Sequence, residues 1–334
     1  MDLTMSADQR DLRSGLRGYL DDHWTPGRLR SVADAPALDR EDWSALAELG
    51  VFGLELPEDR GGAGLGPADA AIVFEELGRA LVPGPLVASF LAAGTVGGAS
   101  DGAAVVTALD TADPVPVVEH LEAAAHVVLI GDDGLHLVPS GALRAVPAAA
   151  PLDPLTPVWQ VTGPLPPGER IGTAANAARW RSRGAVLTAA LQVGVAQGAL
   201  DLAVRYAGER EQFGRAVGSF QAVKHLLADS LVRVDLARAA VWTAALTLDD
   251  PHAHDPHADD HGGEHGGDPG EAVASAKILA EDAASANGRC CVQVHGGMGF
   301  TWEVIAHLYL KRAWLLETCY GGAGEHARRL AEAL

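Results

Sequence analysis

The sequence predicts a mainly α protein in which a short β region separates two helical regions. From about residue 7 to 91 and from about residue 174 to 334, apolar residues recur at the three- and four-residue spacing of amphipathic helices. Between them, from about residue 101 to 170, short β-prone runs alternate with turns that contain Asp, Pro and Gly. The length of 334 residues allows two or three domains, which we place at residues 1–100, 101–172 and 173–334.

Three apolar stripes predict three helices in the N-terminal region. Their members are Leu12, Leu16 and Leu20; Trp43, Leu46 and Leu49; and Ile72, Phe74, Leu77 and Leu81. The glycines Gly50 and Gly53 are expected to end the second helix, and the glycine-rich residues 57–67 are expected to form a loop. Asp69 is expected near the start of the third helix, because its carboxylate can accept hydrogen bonds from free backbone N–H groups.

The middle and C-terminal regions differ in the elements that they predict. Four β-prone runs cover residues 104–108, 126–131, 135–138 and 158–162. Five candidate helices follow at residues 184–208, 220–248, 271–294, 302–319 and 324–333, with lengths that suit an antiparallel bundle. Residues 251–269 contain five histidines among Asp and Gly, so metal binding is one interpretation. We favour a flexible, solvated loop and predict no metal site, because a glycine-rich segment offers no fixed coordination geometry.

Composition limits the partners and the compartment. The formal net charge is −19, from 25 basic and 44 acidic residues, which argues against nucleic acid and anionic membranes as partners. The three cysteines Cys290, Cys291 and Cys319 show no CxxC spacing, so we expect reduced thiols without a disulfide framework. The first ten residues lack the apolar segment of a signal peptide, and no uninterrupted apolar run approaches the ~20 residues of a membrane helix. We therefore expect a cytoplasmic protein.

A first motif with chemical content runs from Arg210 to Gly214 and is followed by Gln221. An arginine just after a helix presents several N–H donors in a fixed fork and suits a diphosphate. Phe213 offers an aromatic face beside it, and the amide of Gln221 can both donate and accept, so it can contact a nucleotide edge or a sugar. Taken alone, the motif fits a capped turn with a surface arginine equally well.

A second motif runs from Gln293 to Phe300 and contains glycines at positions 296, 297 and 299. Glycines allow a ligand to approach backbone N–H groups closely, and they equally allow a left-handed turn between two helices. Both interpretations remain open for this motif alone.

Together, in this order and inside a helical bundle, the two motifs resemble the acyl-CoA dehydrogenase family. The N-terminal segments 43–50, 56–58, 61–66 and 75–79 look like the first domain of that family. The resemblance covers residues 5–330 and implies a fold with an N-terminal helical domain, a short β middle domain and a C-terminal four-helix bundle. It also implies FAD as cofactor, an acyl-CoA or acyl-carrier-protein thioester as substrate, and an electron acceptor such as electron-transfer flavoprotein.

The resemblance assigns roles in FAD binding. A residue like Arg210 holds the diphosphate and one like Gln221 contacts the nucleotide, while Gln212 and Phe213 are also carried over as cofactor contacts. The second motif is expected to reach the FAD of a neighbouring protomer. Its carried-over residues are Gln293, Val294, His295, Gly296 and Gly297.

The sequence departs from the family at the catalytic base. The usual base is the Glu of a Tyr-Glu-Gly-Thr segment, which removes the α-proton of the thioester; here Gly321 stands at that position. Other members carry the base on an earlier helix, where this chain has Gly184 after Arg183. No catalytic residue is therefore predicted. Glu317 lies one helical turn before Gly321 and is the substitute candidate, although an ordinary structural acid explains it as well.

Two further segments, residues 300–303 and 307–312, resemble the short subunits of bacterial heteromeric (α2β2) acyl-CoA dehydrogenases of steroid and related degradation. In that branch a chain without the base pairs with a longer, complete homologue. The middle region fits, because it is short and residues 106–110 are at most a remnant of a flavin-binding loop. The alternatives are a self-sufficient flavoenzyme, as a homodimer, in which Glu317, Asp201 or a group of the substrate acts as base, and a scaffold subunit without FAD.

Overall fold

The computed structural model describes residues 4–249 and 269–333, and it confirms the order of helices, strands and helices. The helices are α1 Ala7–His23, α2 Pro26–Asp34, α3 Arg40–Glu48, α4 Pro67–Arg79, α5 Leu86–Ala92, α6 Ala174–Glu209, α7 Gln221–Asp249, α8 Pro269–His295, α9 Ala306–Leu316 and α10 Ala323–Ala333. The strands are β1 Val106–Asp110, β2 Val117–Glu119, β3 His126–Ile130, β4 Gly134–Pro139, β5 Ala145–Pro147, β6 Val158–Val161, β7 Glu169–Thr173, β8 Glu211–Gln212 and β9 Arg215–Ala216. The histidine-rich segment predicted as a loop lies outside the described residues, apart from its last residue.

The chain divides into two compact units. The first consists of Met1–Arg30, Pro67–Val82 and Ala185–Leu334, and the second of Ser31–Gly66 and Pro83–Gly184. Helix α6 contributes to both, with its first turns in the second unit and the remainder in the first. The boundaries of the three predicted domains stay a prediction.

In the first unit, α4 and α6 cross with their backbones in direct contact. A Cβ atom on Gly194 would lie 1.9 Å from the carbonyl oxygen of Glu75, and one on Gly78 would lie 2.1 Å from that of Leu191. Both distances are far below van der Waals contact, so only glycine permits this crossing. The two glycines fix how closely the N-terminal helices pack on the bundle.

A buried acid on α4 ties α1 to the same crossing. Glu76 is fully buried and accepts hydrogen bonds from Arg13 at 2.9 Å, Arg17 at 2.6 Å and Arg79 at 2.7 Å. Burial alone would raise the pKa of Glu76, but the hydrogen bonds and charges of Arg17 and Arg79 outweigh it and hold the pKa below its ordinary value. The neighbouring Glu75 pairs with Arg238 of α7 at 2.9 Å.

The second unit contains two small sheets. In the four-stranded sheet the order is β1-β3-β4-β7, with β1 parallel to β3 and the other neighbours antiparallel; the three-stranded sheet has the antiparallel order β2-β6-β5. Their shared apolar core consists of Leu109, Val118, Leu121, Val127, Leu129, Val138, Leu143 and Val161, with Ala145 and Trp159 packed against it. The four β-prone runs predicted from the sequence overlap β1, β3, β4 and β6.

The elements that sequence patterns missed are short or exposed. Strands β2 and β5 have three residues each, which is too short for an alternating pattern, and β7 is an edge strand without a buried residue. Helix α2 has a single buried side chain, Leu29, so it shows no apolar stripe.

Two predicted helix starts were wrong. Helix α6 begins at Ala174 rather than at residue 184, because Thr173 and Asn176 cap it: the Asn176 Oδ1 accepts from the Thr173 N–H at 2.9 Å. Helix α9 begins at Ala306 rather than at Trp302, because residues 301–305 form turns after a short 3-10 helix.

Among the described residues, α6 is the one helix that is long and apolar enough by composition to span a membrane. Of its most apolar stretch, 83% is buried inside the protein, and core helices of soluble proteins pass the same test.

Candidate functional site

The first candidate motif forms an exposed hairpin at the C-terminal end of α6. Phe213 and Gly214 both have positive φ angles, +53° and +76°, so they form the tight turn that joins β8 to β9. The ring of Phe213 is 91% exposed, and Arg210 and Gln212 are exposed beside it. The hairpin therefore presents a cation, an amide and an aromatic face together at the surface.

The hairpin is anchored to the helices on either side. The Val217 N–H donates to the Arg210 carbonyl at 2.7 Å, and the guanidinium of Arg215 lies 4.1 Å from the centroid of the Phe220 ring. Helix α7 then begins at Gln221, whose side chain is exposed. Arg210 and Gln221 thus belong to one connected, folded segment.

The second candidate motif forms the end of α8 and the 3-10 turn that follows it. Gln293, Gly296 and Gly297 are exposed, Val294 is half-buried, and Gly296 has a φ of +60°. A Cβ atom at either glycine would meet nothing within 4 Å, so the space beside the backbone is open.

His295 differs from the other residues of this motif because its side chain is buried. Its Nδ1 lies 2.8 Å from the Cys291 carbonyl oxygen, and its ring stacks on Tyr206 of α6 with the centroids 4.2 Å apart. Burial lowers the pKa of His295, which favours the neutral ring. The stack joins the ends of α6 and α8, so the two candidate motifs lie at the same end of the bundle.

Gly321, where the usual base would stand, is half-buried and crowded by two side chains of α10. Gly321 has a φ of +83° and follows Tyr320 at +55°. A Cβ atom at Gly321 would lie 3.0 Å from Nε2 of His326 and 3.2 Å from Oε2 of Glu325. His326 is buried, and its Nε2 lies 3.1 Å from the Tyr320 carbonyl oxygen. Both the backbone and the neighbours therefore disfavour a glutamate here.

Two side chains of α8 hold the turn that contains Gly321. The fully buried Lys277 donates from Nζ to the carbonyl oxygens of Leu316 at 3.2 Å and Cys319 at 3.0 Å, at the end of α9. One turn later, Oε2 of Glu281 accepts from the Ala323 N–H at 2.8 Å, at the start of α10. Burial lowers the pKa of Lys277 and raises that of Glu281.

Glu317, the substitute base candidate, is half-buried at the C-terminal end of α9. Its charge acts on both Lys277 and Glu281. This environment favours the interpretation of Glu317 as a structural acid that balances Lys277. The other candidate, Asp201, accepts a hydrogen bond from Gln197 at 2.8 Å.

The earlier helix position, Gly184, is buried on α6 and is preceded by two paired arginines. Arg181 makes a bidentate pair with Asp110, at 2.6 and 2.8 Å, and Arg183 pairs with Glu55. The basic side chains before Gly184 therefore hold the start of α6 in place in the second unit.

Family models match most of the chain. The acyl-CoA dehydrogenase N-terminal domain matches residues 6–100, and the acyl-CoA dehydrogenase C-terminal domain matches residues 181–333. This chain belongs to the acyl-CoA dehydrogenase family. Acyl-CoA dehydrogenases are oxidoreductases that act on CH–CH bonds with FAD as cofactor, which confirms the predicted fold, enzyme class and cofactor at the level of the family.

Several known acyl-CoA dehydrogenases are similar to this chain over long stretches. Acyl-CoA dehydrogenase IpdE2 of Mycobacterium tuberculosis is 34% identical over 93% of this chain and 92% of its own length. Acyl-CoA dehydrogenase FadE34 of the same organism is 37% identical over 87% of this chain, which spans 42% of FadE34. The solved Tcur3481-Tcur3483 steroid ACAD has 27% identity and a TM-score of 0.79, with 97% of each chain covered.

The residues predicted to hold FAD fit an acyl-CoA dehydrogenase in part. Exposed Arg210, Gln221 and Gln293, with open space at Gly296 and Gly297, suit the charged and polar groups of a dinucleotide. His295 does not face the same space, because its ring packs against Tyr206. It supports the motif from inside the bundle.

Sequence reasoning missed the side chains around Gly321. Lys277 and Glu281 lie about forty residues earlier on another helix, so no local pattern connects them to the turn. His326 could have been found from its spacing, because it lies four residues before Leu330 and therefore on the same face of α10.

Proposed function

We propose that this chain is the base-lacking subunit of a heteromeric, FAD-dependent acyl-CoA dehydrogenase. It contributes contacts to FAD, and a longer family member contributes the catalytic glutamate. The observation that carries the proposal is the turn at Gly321, which combines a left-handed backbone with a neighbourhood filled by Glu325 and His326. An acyl-CoA dehydrogenase that supplied its own base from this turn would need space there for a carboxylate.

The second known position for the base supports the same proposal. Gly184 has no side chain, and Arg183 beside it is already paired with Glu55. A cation beside the reacting carbon could not remove a proton, because the guanidinium stays protonated at every accessible pH. Neither position in this chain thus offers a carboxylate.

FAD, when bound, supplies the acceptor for the β-hydride of the acyl thioester. Arg210 would hold the diphosphate through charge-assisted hydrogen bonds, and Gln221 would contact the nucleotide. Phe213, with 91% of its side chain exposed, would cover the cofactor and exclude water from it. Gln293 and the open backbone at Gly296 and Gly297 would reach the cofactor held by a neighbouring subunit.

An apolar surface on α7 supports assembly with another chain. Four large side chains are exposed on this helix, and two of them, Val232 at 56% and Leu236 at 57%, lie one turn apart on the same face, while Leu226 at 42% and Leu231 at 48% lie elsewhere around it. A run of exposed apolar residues on one helix is typical of a protein interface. The name of the similar steroid ACAD joins two chain names, Tcur3481 and Tcur3483, which favours a hetero-oligomer over a homodimer.

The substrate that fits this proposal is an acyl-CoA thioester, and the acceptor of the electrons would be an electron-transfer flavoprotein. The similarity to a steroid ACAD favours a bulky acyl group over a short linear one. We further propose that the reaction belongs to the degradation of lipids or steroids.

The experiment is co-expression of this chain with a longer homologue that retains the glutamate, followed by purification of the complex and measurement of bound flavin. Arg210→Gln should weaken FAD retention about tenfold or more, because charge-assisted hydrogen bonds to a diphosphate are lost. Arg328→Gln is the matched control, since Arg328 is an exposed arginine on α10 and the substitution changes the charge equally. Equal flavin retention in the two variants would contradict the role of this chain in binding FAD.

A further inference from the structure

The first unit contains a cavity of about 240 Å³ between the segment that precedes α1 and helix α7. It is lined by Met5 from that segment and by Asp235, Arg238, Ala239 and Trp242 from α7. The spacing of the four α7 residues places them on one face of the helix. Sites for drug-sized ligands have volumes of roughly 300–1,000 Å³, so this cavity suits a smaller molecule.

Hydrogen bonds hold the charged wall of this cavity in place. Arg238 donates to the carboxylate of Glu75 on α4 at 2.9–3.1 Å and to Oε1 of Gln197 on α6 at 2.8 Å. It also donates from Nη1 to Oδ1 of Asp235 at 2.8 Å. The Glu75 side chain is 5% exposed and that of Asp235 is 62% exposed. Glu75 therefore balances the charge of Arg238 inside the protein, and Asp235 carries the charge that a ligand in the cavity would meet.

The remaining wall is aromatic and apolar. Trp242 is buried, and its indole is the aromatic group of the cavity. Met5 is held in place from α1, because its carbonyl oxygen accepts from Nη1 of Arg10 at 2.8 Å and its sulfur lies 4.0 Å from Nη1 of Arg13. An indole ring attracts cations through its electron-rich face, and a thioether adapts its shape to an apolar group. The cavity thus joins one carboxylate to an aromatic and apolar surface.

We infer that this cavity binds a small organic cation of the alkylammonium class. The alkyl groups of the cation lie against Trp242 and Met5, and its positive charge lies beside Asp235. An anion is disfavoured by Asp235 and by the net charge of −19, and a neutral molecule gains nothing from the carboxylate. The site uses none of the residues assigned to FAD and needs no catalytic base, so it goes beyond the proposed function.

The experiment is calorimetric titration of the full chain with tetramethylammonium chloride and with tert-butanol, a neutral molecule of similar size and shape. Tetramethylammonium should bind about tenfold more tightly, because only the cation is attracted by the indole and by the carboxylate. Added sodium chloride should weaken the binding of tetramethylammonium and leave that of tert-butanol unchanged, because salt screens the attraction between charges.

Substitutions in the cavity separate the carboxylate from the aromatic wall. Asp235→Asn should weaken the binding of tetramethylammonium about two- to fivefold, as expected for a largely exposed charge, and leave tert-butanol binding unchanged. Asp229→Asn is the matched control, because Asp229 is an exposed acid on the same helix and the charge change is equal. Trp242→Leu should weaken tetramethylammonium binding about tenfold, and Trp242→Phe should weaken it less, because a phenyl ring keeps part of the attraction.

The inference is wrong if tetramethylammonium and tert-butanol bind equally, if neither binds, or if Asp235→Asn and Asp229→Asn bind tetramethylammonium with the same affinity. A carboxylate that serves only to hold Arg238 gives that last result, with a lower melting temperature for Asp235→Asn and an unchanged affinity. Because the Asp235 side chain is largely exposed and Trp242 is buried, Asp235→Asn keeps the test valid if the tryptophan substitutions disturb folding.

Discussion

Replacement of Gly321 by alanine tests whether the turn at the usual base position is closed. A left-handed backbone costs a residue with a Cβ atom about 1–2 kcal/mol, and Gly321 has a φ of +83°. The new Cβ would lie 3.0 Å from Nε2 of His326, which is tighter than ordinary contact, and moving a buried side chain costs about 1–3 kcal/mol. We therefore expect Gly321→Ala to lower the free energy of unfolding by about 2–5 kcal/mol.

Gly324 provides the matched control on the next helix. It lies in the first turn of α10 without a positive φ, and a Cβ atom there would meet nothing within 4 Å. Gly324→Ala should be neutral or stabilise the chain by up to about 1 kcal/mol, because alanine restricts the unfolded chain more than glycine does. Both variants would be compared by urea unfolding followed by circular dichroism, with the dependence on denaturant concentration checked for equality.

A second substitution separates the two contributions. Measured against His326→Ala alone, Gly321→Ala should cost only the part of the loss that comes from the backbone, because the crowding by His326 is then absent. If Gly321→Ala is as stable as Gly324→Ala, the turn is open to side chains. Loss of the base would then be a simple substitution that Gly321→Glu could reverse, and the structural reason given for the missing base would be refuted.

Three further predictions concern the first unit. Glu76→Gln should cost about 3 kcal/mol at pH 7, because it removes the buried carboxylate that three half-buried arginines share. The pKa of Glu76 is held below its ordinary 4.5, so this contribution is present above pH 4.5 and is lost as the pH falls through the lowered pKa. Urea titrations should therefore show the stabilities of the two proteins converging in acid, and a pH-independent difference would contradict the network. Gly194→Ala should destabilise the chain by more than about 3 kcal/mol or prevent folding, because its Cβ would lie 1.9 Å from a backbone oxygen. Gly208→Ala is the control and should be tolerated, because a Cβ atom there would meet nothing within 4 Å. Equal melting temperatures of the two variants would contradict the close crossing of α4 and α6. Glu317→Gln should leave the turnover of the heteromeric complex unchanged in a spectrophotometric desaturation assay, and loss of turnover at normal stability would instead identify Glu317 as a base.

The order of elements could be predicted because each helical region repeats its apolar residues at a regular spacing. Leu16 and Leu20 are buried in α1, as the first stripe predicts, and Trp43 and Leu46 are buried in α3. Short elements could not be predicted in this way. Helix α2 buries one side chain, so tertiary contacts rather than its own pattern decide its conformation.

The candidate site was predictable only where it depends on local sequence. A turn at residues 210–214 is one of the two interpretations that the sequence offers for the first motif, and the missing base follows from the single position Gly321. By contrast, the inward orientation of His295 depends on Tyr206, almost ninety residues earlier, and the closed space at Gly321 depends on His326. These contacts arise from how the helices pack, which spacing along one helix does not encode.

Turnover of an acyl-CoA by this chain, alone and in complex with a longer homologue, tests the division of labour most directly. The assay would follow reduction of an electron acceptor in the presence of added FAD. We expect no desaturation by this chain alone, desaturation by the complex, and loss of activity when the glutamate of the longer chain is replaced by glutamine. If the purified chain alone desaturates the acyl-CoA as fast as the complex does, it carries its own base and the proposed role is wrong.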